Sequence, residues 1–225
     1  LHTATLVHDD IIDNSNLRSG KTTVNVAWSN SHGVLIGDFI YSKAFMLMNE
    51  IGNFKVIDEL SSATNKIAEG ELMQLANKNN LNTSLQQLKK ISYYKTGRLF
   101  EASAKSSAML SGKSIPFIEN ISKAAKLIGI AFQVRDDLLD YGVSKGNIGK
   151  PQMQDILEDK ITYPLYFALK YSNKKDSSKI LKKLKNKDFS IEEVADFVSS
   201  SNAFNKCNSL IKNYSNEISK CINQI

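Results

Sequence analysis

The sequence contains little cysteine, little proline and no apolar run long enough to cross a membrane. Its 225 residues include three prolines and two cysteines, Cys207 and Cys221. Without a CxxC pair or a nearby histidine, these cysteines argue against a disulfide framework and a zinc site. The most apolar stretch, residues 34–48, is interrupted by Asp38 and Lys43, so it does not reach the roughly 20 residues that a transmembrane helix needs. We expect a cytoplasmic protein without a transmembrane segment or signal peptide.

Arginine is also scarce in this basic chain. Of 29 basic residues only three are arginines, and the net charge is +6. Many of the lysines lie together with Asn and Ser in the last quarter of the sequence. Binding of nucleic acid would need glycine-rich or aromatic-interleaved basic patches, and these are missing from the sequence. We therefore interpret the lysines as a solvated surface and expect no nucleic-acid partner.

Strand signatures are nearly absent, whereas helical spacing is widespread. Apolar residues recur with a period of 3.6 along residues 57–75, 85–102 and 121–138. Thr162 followed by Pro164 predicts a helix start, because proline fits the first turn of a helix. No linker or repeated unit divides the chain. The sequence predicts an all-α fold, with a single domain of long helices over residues 1–225.

Two acidic clusters share one pattern, DDxxD, and together contain six of the 13 aspartates. They consist of Asp9, Asp10, Asp13, Asp136, Asp137 and Asp140. On a helix, residues four apart lie one turn apart on the same face, so the carboxylates of each cluster converge. Like charges at that spacing are tolerable when a cation lies between them, and hard oxygen ligands suit Mg²⁺. All six aspartates are therefore candidate metal ligands at the rim of an apolar cavity. The alternative is two solvated acidic helix ends.

These clusters, with the segments around them, resemble the polyprenyl synthetase family of trans-isoprenyl diphosphate synthases. The first cluster lies in LVHDDIIDNSNLRSGKTTVN and the second in GIAFQVRDDLLDY. Between them come ATNKIAEGELMQL and YYKTGRLFEAS, in the order that the family has. The resemblance is strong as far as about residue 170. It implies the isoprenoid synthase fold, with helices around a central hydrophobic tunnel, and a fragment that lacks the family's N-terminal helices and last helix.

The resemblance implies a prenyltransferase that condenses isopentenyl diphosphate with an allylic diphosphate. About three Mg²⁺ ions per active site would assist departure of the allylic diphosphate. Within the family, the bacterial enzymes that make octaprenyl diphosphate look most similar, which implies a membrane-partitioning product, a ubiquinone side chain as its use, and a homodimer. Alternatives are a shorter-chain farnesyl or geranylgeranyl diphosphate synthase and a non-catalytic regulatory subunit. A terpene cyclase is disfavoured by the intact second cluster.

Further site residues follow from the same resemblance. Matches to diphosphate-binding positions are Arg18, Lys95, Thr96, Gln133, Lys150 and Lys160. The arginine fork suits phosphate oxygens, and Lys95 joins the aspartates as a catalytic candidate. Two positions depart from the family pattern. Ser19 replaces a second arginine that helps to hold isopentenyl diphosphate, and only Asp155 remains of an Asp-Asp pair in the loop after the second cluster.

Small residues precede the first cluster by about one helical turn. Ala4 and Thr5 stand where short-chain members place aromatic rings that close the tunnel. Small side chains would leave the tunnel open, which indicates an octaprenyl-length product. The alternative is that both residues are small only for helix packing. For His8, directly before the cluster, we favour a packed core histidine over a partner of the metal ligands.

Overall fold

The computed structural model describes residues 1–142 and 153–225. Lys150, one of the predicted diphosphate-binding residues, lies outside this part of the chain. The described residues form α-helices, one π-helical segment and one two-stranded hairpin, so the all-α prediction is confirmed. Among them, no helix combines the length and the apolar character that a membrane span requires.

The described residues divide into two compact units, one of residues 1–64 and the other of residues 65–142 with 153–225. The boundary falls inside one long helix, α4 (Phe54–Ala76). A single domain over residues 1–225 stays a prediction.

The first unit consists of α1, a β-hairpin, α2, α3 and the beginning of α4. The bounds are α1 His2–Ile12, β1 Leu17–Arg18, β2 Lys21–Thr22, α2 Val24–Ala27 and α3 Asn30–Ile51. Helix α1 packs on α3 at Gly37, where an added Cβ would lie 2.1 Å from Nε2 of His8. The side chain of Ser29 caps the start of α3, and Gly52 ends it with a φ of 67°. Local signals thus set the length of α3, and a glycine sets its approach to α1.

The second unit is built around α7, which packs against α6 and α12. Its elements after α4 are α5 Leu85–Ser92, the π-helical segment Tyr93–Gly97, α6 Arg98–Leu110, α7 Ile115–Asp140, α8 Gln154–Leu157, α9 Tyr163–Tyr171, α10 Lys174–Asn186, α11 Ile191–Ser200 and α12 Ala203–Ile222. The predicted helix start is confirmed, with Thr162 as the N-cap of α9 and Pro164 in its first turn.

The core of the second unit joins the end of α7 to α9, α11 and α12. Its most deeply buried side chains include Val134, Leu138, Tyr163, Val198 and Cys207. Cys207 and Cys221 are both free, buried cysteines of α12. Burial raises the pKa of the Cys207 thiol to about 12. Because the end of α7 is held in this core, the second acidic cluster stands on a rigid support.

Candidate active site

The first acidic cluster lies at the C-terminal end of α1, where the hairpin returns Arg18 to it. Asp10 is only 6% exposed, and both of its carboxylate oxygens accept hydrogen bonds from Arg18 Nε, at 2.9 and 3.0 Å. Arg18 Nη2 lies 2.7 Å from Asp10 Oδ1. This hydrogen bonding raises the pKa of the Arg18 guanidinium, and the charges of Asp9 and Asp13 add to the rise. The structure therefore brings Arg18 to the first cluster, and its role in binding a diphosphate stays a prediction.

The turn of the hairpin explains how Arg18 reaches Asp10. Ser19 and Gly20 both have positive φ, 51° and 76°, which is the backbone of a two-residue hairpin turn of type I′. The loop before the hairpin is fixed as well, because the Ser15 N–H donates to the Asp10 carbonyl at 2.8 Å. The Thr23 hydroxyl donates to the Ser15 carbonyl at 2.7 Å. Ser19 itself is exposed at the tip of the turn.

The residues before the first cluster pack against α3 or within α1. Ala4 is fully buried, whereas Thr5 is half-buried and its hydroxyl donates to the His2 carbonyl at 2.8 Å. His8 Nε2 lies 3.1 Å from the Val34 carbonyl oxygen and 3.4 Å from Asp38 Oδ1. The imidazole thus packs on α3 with its side chain 30% exposed, rather than in the core as we expected. The roles of Ala4 and Thr5 in product length stay predictions.

The second acidic cluster contains a carboxylate that is buried in protein. Asp137 is 5% exposed, and it accepts hydrogen bonds from Gln133 Nε2 at 2.9 Å and from the Tyr163 N–H at 3.1 Å. Burial raises the pKa of Asp137 to about 7, with the two hydrogen bonds opposing the rise and the charges of Asp136 and Asp140 adding to it. Asp136 is exposed. The cluster therefore holds negative charge where water cannot solvate it fully.

The beginning of α8 adds two backbone donors and a further carboxylate. Asp140 accepts hydrogen bonds from the N–H groups of Gln154 and Asp155, at 3.1 and 3.4 Å. Burial raises the pKa of Asp140 against these bonds. Burial also raises the pKa of Asp155 well above its usual range, and the charges of Asp137 and Asp140 contribute. Asp155 was not among the predicted site residues, although the surviving member of the family's Asp-Asp pair was a signal for it.

Thr96 and Gln133 form a chain of hydrogen bonds that ends on Asp137. The Thr96 hydroxyl donates to Gln133 Oε1 at 3.0 Å, and the amide nitrogen of Gln133 bonds to Asp137. The Ser92 and Tyr163 hydroxyls lie 3.0 Å apart, behind the backbone N–H that bonds Asp137. These contacts fix the Asp137 carboxylate in one orientation.

Lys95 is held by two side chains of α4 that the sequence analysis did not select. Its Nζ donates to Glu71 Oε2 at 3.0 Å and to Gln74 Oε1 at 2.8 Å, and it lies 2.8 Å from Glu71 Oε1. Both partners belong to the segment ATNKIAEGELMQL. This motif pointed to the helix but did not show which of its residues contact Lys95. The ammonium group is thus anchored on α4.

Two glycines fix the π-helical segment that carries Lys95 and Thr96. A Cβ at Gly70 of α4 would lie 2.7 Å from the backbone nitrogen of Lys95, and one at Gly129 of α7 would lie 2.5 Å from Gly97 Cα. The backbone of this segment therefore touches two helices directly. A π-helical turn widens the helix by one residue and often occurs at functional sites.

A small cavity of about 50 Å³ collects these groups in the second unit. Its polar lining includes Lys95, Gln133, Asp137, Asp155 and Lys160. Lys160 is almost fully buried and is ion-paired with Glu158. The structure thus brings Lys95, Gln133, Asp137 and Lys160 together, with Thr96 attached through Gln133. Lysines beside buried carboxylates suit a phosphate group that binds together with a divalent cation.

The donor atoms of both clusters fit a hard cation such as Mg²⁺. Within residues 1–142 and 153–225, no group of three or more acidic, His or Cys side chains is already arranged around a single ion position. The ligands are nevertheless all carboxylate oxygens, and a cation would offset the burial and the mutual repulsion that raise the pKa values of Asp137 and Asp140. Asp136 is accessible to an ion, whereas the contacts of Asp10 go to Arg18.

The chain belongs to the polyprenyl synthetase family. The family profile, described as Polyprenyl synthetase, matches residues 1–200. The resemblance inferred from the two aspartate clusters is therefore confirmed. Both clusters and every predicted site residue lie inside the matched range.

Several members of the family are similar to this chain over most of its length. It is 41% identical to the octaprenyl diphosphate synthase of Escherichia coli over 180 residues, which are 80% of this chain and 56% of that protein. It is 37% identical to an all-trans-nonaprenyl-diphosphate synthase of Rhodobacter capsulatus, over 92% of this chain and 64% of that protein. The chain thus spans less than two thirds of the length of these relatives.

A solved structure agrees with the fold. The polyprenyl synthase of Caulobacter crescentus, crystallised with calcium and isoprenyl diphosphate, matches with a TM-score of 0.91 and 32% identity, over 98% of this chain and 68% of that one. The predicted isoprenoid synthase fold is therefore confirmed.

Proposed function

We propose that this protein is a Mg²⁺-dependent, long-chain trans-polyprenyl diphosphate synthase, which adds isopentenyl diphosphate units to an allylic diphosphate. The observation that carries the proposal is the buried, hydrogen-bonded Asp137 of the second cluster, with Lys95 and Lys160 lining the same cavity. The first cluster with its own arginine supports the same chemistry. Relatives named octaprenyl and nonaprenyl diphosphate synthases support a long product.

In this proposal the carboxylates hold Mg²⁺ and the basic residues bind phosphate oxygens. Candidate metal ligands are Asp9, Asp10, Asp13, Asp136, Asp137 and Asp140. When bound, Mg²⁺ would neutralise negative charge on the departing diphosphate. Arg18, Lys95, Lys150 and Lys160 would orient that diphosphate by charge-assisted hydrogen bonds. Because Asp137 is fixed by Gln133 and Tyr163, the second cluster needs little rearrangement before it acts.

The reaction breaks the C1–O bond of the allylic substrate and forms a C–C bond. Lys95 and Lys160 stabilise the negative charge that grows on the diphosphate as this bond breaks. The double bond of isopentenyl diphosphate then supplies the electron pair for the new C–C bond, and a proton leaves to give a new allylic diphosphate. Partial burial of the polar groups strengthens each of these interactions by lowering the local dielectric constant.

The same proposal extends to product and assembly. Small residues at Ala4 and Thr5 leave room for a long chain, so we propose an octaprenyl-length product in a hydrophobic tunnel, used for a ubiquinone side chain. From the family resemblance we also propose that the protein forms a homodimer and is located in the cytoplasm.

The deciding experiment gives the full-length protein farnesyl diphosphate, isopentenyl diphosphate and Mg²⁺ and measures product length. We expect elongation to a long polyprenyl diphosphate. Replacing Asp9 or Asp136 with alanine should reduce turnover by orders of magnitude without unfolding the protein. A product no longer than geranylgeranyl diphosphate would contradict the open tunnel, and near-normal turnover of both alanine variants would contradict the metal ligands.

A second candidate function is a regulatory subunit without activity of its own. Ser19 favours it, because an exposed serine stands where the family has an arginine for isopentenyl diphosphate. Against it, all six aspartates remain. Absence of elongation by the pure protein, together with stimulation of a catalytic partner, would identify this function.

A further inference from the structure

A second cavity of about 290 Å³ lies next to the candidate diphosphate site in the second unit. Its apolar lining comes from Leu81, Ile156, Ile161, Leu165, Leu184 and Phe189. Its volume is close to the lower end of small-molecule sites, about 300 Å³. The cavity is thus large enough for a small organic molecule.

Charged groups of one predominant sign complete the lining. Lys160, Lys185 and Lys187 contribute three positive charges and Asp159 one negative charge, and Lys160 is also paired with Glu158 outside the lining, which leaves one net positive charge. Lys187 Nζ bonds to Asp159 Oδ2 at 2.8 Å, which holds this lysine near the cavity. Lys185 is exposed at the end of α10. Apolar walls beside a net positive charge would attract a molecule with a negative head and a hydrocarbon tail.

The backbone around this cavity has a defined and uncommon conformation. Asn79, Asp159 and Lys187 have positive φ values of 61°, 60° and 54°. The Asn79 N–H also donates to the Asp159 carbonyl at 3.0 Å. Positive φ is uncommon for residues other than glycine, and surrounding contacts must maintain it. The charged edge of the cavity is therefore formed by fixed backbone.

We propose that this cavity binds a small amphiphilic anion, a phosphate or carboxylate with a short hydrocarbon chain. The hydrocarbon chain packs against Leu165 and Leu184, and the head lies near Lys185 and Lys187. Such a site is separate from the cavity that contains Lys95 and Asp137, because neither residue lines it.

Two residues connect the second cavity with the first. Lys160 and Ile161 line both, and Lys160 is paired with Glu158. An anion in the second cavity would attract Lys160 and weaken its contact with a diphosphate in the first. We expect negative coupling between the two ligands, and by linkage each would weaken the other by the same factor. The coupling rests on the proposed function, whereas binding in the second cavity does not.

Binding is tested by calorimetric titration of octyl phosphate into the full-length protein. We expect one saturable site, with much weaker binding of octanol and of inorganic phosphate. Replacing Lys185 and Lys187 together with glutamine should weaken binding by about tenfold or more. The matched control is Lys175→Gln with Lys182→Gln, because both are exposed lysines of α10 that do not line the cavity. It should change the affinity less than about twofold.

A cavity-filling variant tests the location independently. Leu184→Trp should abolish binding of octyl phosphate, and circular dichroism shows whether this variant folds. If it does not fold, the paired glutamine variants decide. If octanol binds as tightly as octyl phosphate, the anionic head is not required and the proposal fails. If inorganic phosphate binds as tightly, the apolar contact is not required. If the control pair weakens binding as much as the Lys185 and Lys187 pair, the ligand does not bind at this cavity.

The coupling is measured as the affinity for inorganic diphosphate with Mg²⁺, with and without octyl phosphate. We expect octyl phosphate to lower the affinity of the wild-type protein for diphosphate and to have no such effect on Leu184→Trp. An unchanged affinity in a protein that binds both ligands would overturn the coupling. Failure of the proposed function would appear differently, as an absence of diphosphate binding while octyl phosphate still binds.

Discussion

Lys95 and Glu71 form an ion pair that is largely withdrawn from solvent, with Nζ 2.8 Å from Oε1. The side chains are only 21% and 14% exposed. Glu71 thus neutralises the ammonium group that, in the proposed function, binds the allylic diphosphate. Breaking a pair at this depth leaves one charge without compensation, whereas breaking an exposed pair costs little.

Replacing Glu71 with glutamine should destabilise the ligand-free protein by about 1–3 kcal/mol, because Lys95 loses its counter-charge. Addition of inorganic diphosphate with Mg²⁺ should reduce this loss, since phosphate oxygens replace the carboxylate. Denaturant unfolding with and without diphosphate measures both effects. The control is Glu69→Gln, which breaks the more exposed Lys66–Glu69 pair on the same helix and should destabilise the protein much less. An equal loss with and without diphosphate would contradict the exchange of partners.

The raised pKa of Asp137 predicts a specific pH dependence in metal-free protein. Its folded pKa of about 7 lies above the ordinary value of 3.8. The stabilising contribution of this group is therefore fully present below about pH 4 and is lost as the pH rises through about 7. Asp137→Asn should remove that loss, and it should also reduce the stabilisation that Mg²⁺ provides. Urea unfolding in EDTA and in Mg²⁺ between pH 5 and 8 compares the two proteins.

Asp136→Asn is the matched control for this experiment, because the neighbouring carboxylate is exposed. It should retain most of the pH dependence of the metal-free wild type. A pH dependence that is the same in wild type and Asp137→Asn would contradict the assignment to Asp137.

Ser19→Arg should lower the KM for isopentenyl diphosphate, by about tenfold, because it restores a cation beside Arg18. The KM for the allylic substrate should change little. Serine already adopts a φ of 51° at this position, so arginine should add little further strain to the turn. Ser19→Asn controls for the backbone, since asparagine tolerates this conformation without adding charge. The same change in KM for both variants would show that charge at position 19 is not the cause.

Alanine at Gly70 or Gly129 should destabilise the protein, although alanine normally stabilises a helix by about 1 kcal/mol relative to glycine. The added methyl group would meet the backbone of the π-helical segment at 2.7 or 2.5 Å. A loss of about 1–3 kcal/mol is expected from such overpacking. Because the segment carries Lys95 and Thr96, the KM for the allylic diphosphate should rise as well. Thermal unfolding and steady-state kinetics measure the two effects, and a gain in stability would contradict the close backbone contact.

Local sequence signals predicted much of the fold. The apolar period over residues 121–138 lies within α7, and Thr162 with Pro164 marked the beginning of α9. Both features depend on residues that are near in sequence. The period over residues 85–102, by contrast, gave no sign of the π-helical segment between α5 and α6. The close packing of this segment depends on Gly70 and Gly129, which belong to other helices.

The motifs selected candidate residues that lie close together, but they did not indicate the partners that come from other parts of the chain. The contact between Arg18 and Asp10 spans eight residues and follows the predicted motif. Glu71 contacts Lys95 across 24 residues, and no short-range spacing indicates which carboxylate of a helix will face that ammonium. Asp155 becomes part of the site only because α8 bonds to Asp140 through its backbone.

The widened turn at Tyr93–Gly97 also sets the register of the helical chain that follows. One residue advances an α-helix by about 100°, and the π-helical turn accommodates one residue more than an α-helical turn. Deleting a single residue after Thr96 would allow a regular helix from α5 into α6. It would then rotate the face of α6 that packs on α7 relative to Lys95. The π-helical segment therefore sets the rotation of α6 relative to α5. With this rotation, Lys95 faces α4 and the apolar side of α6 faces α7.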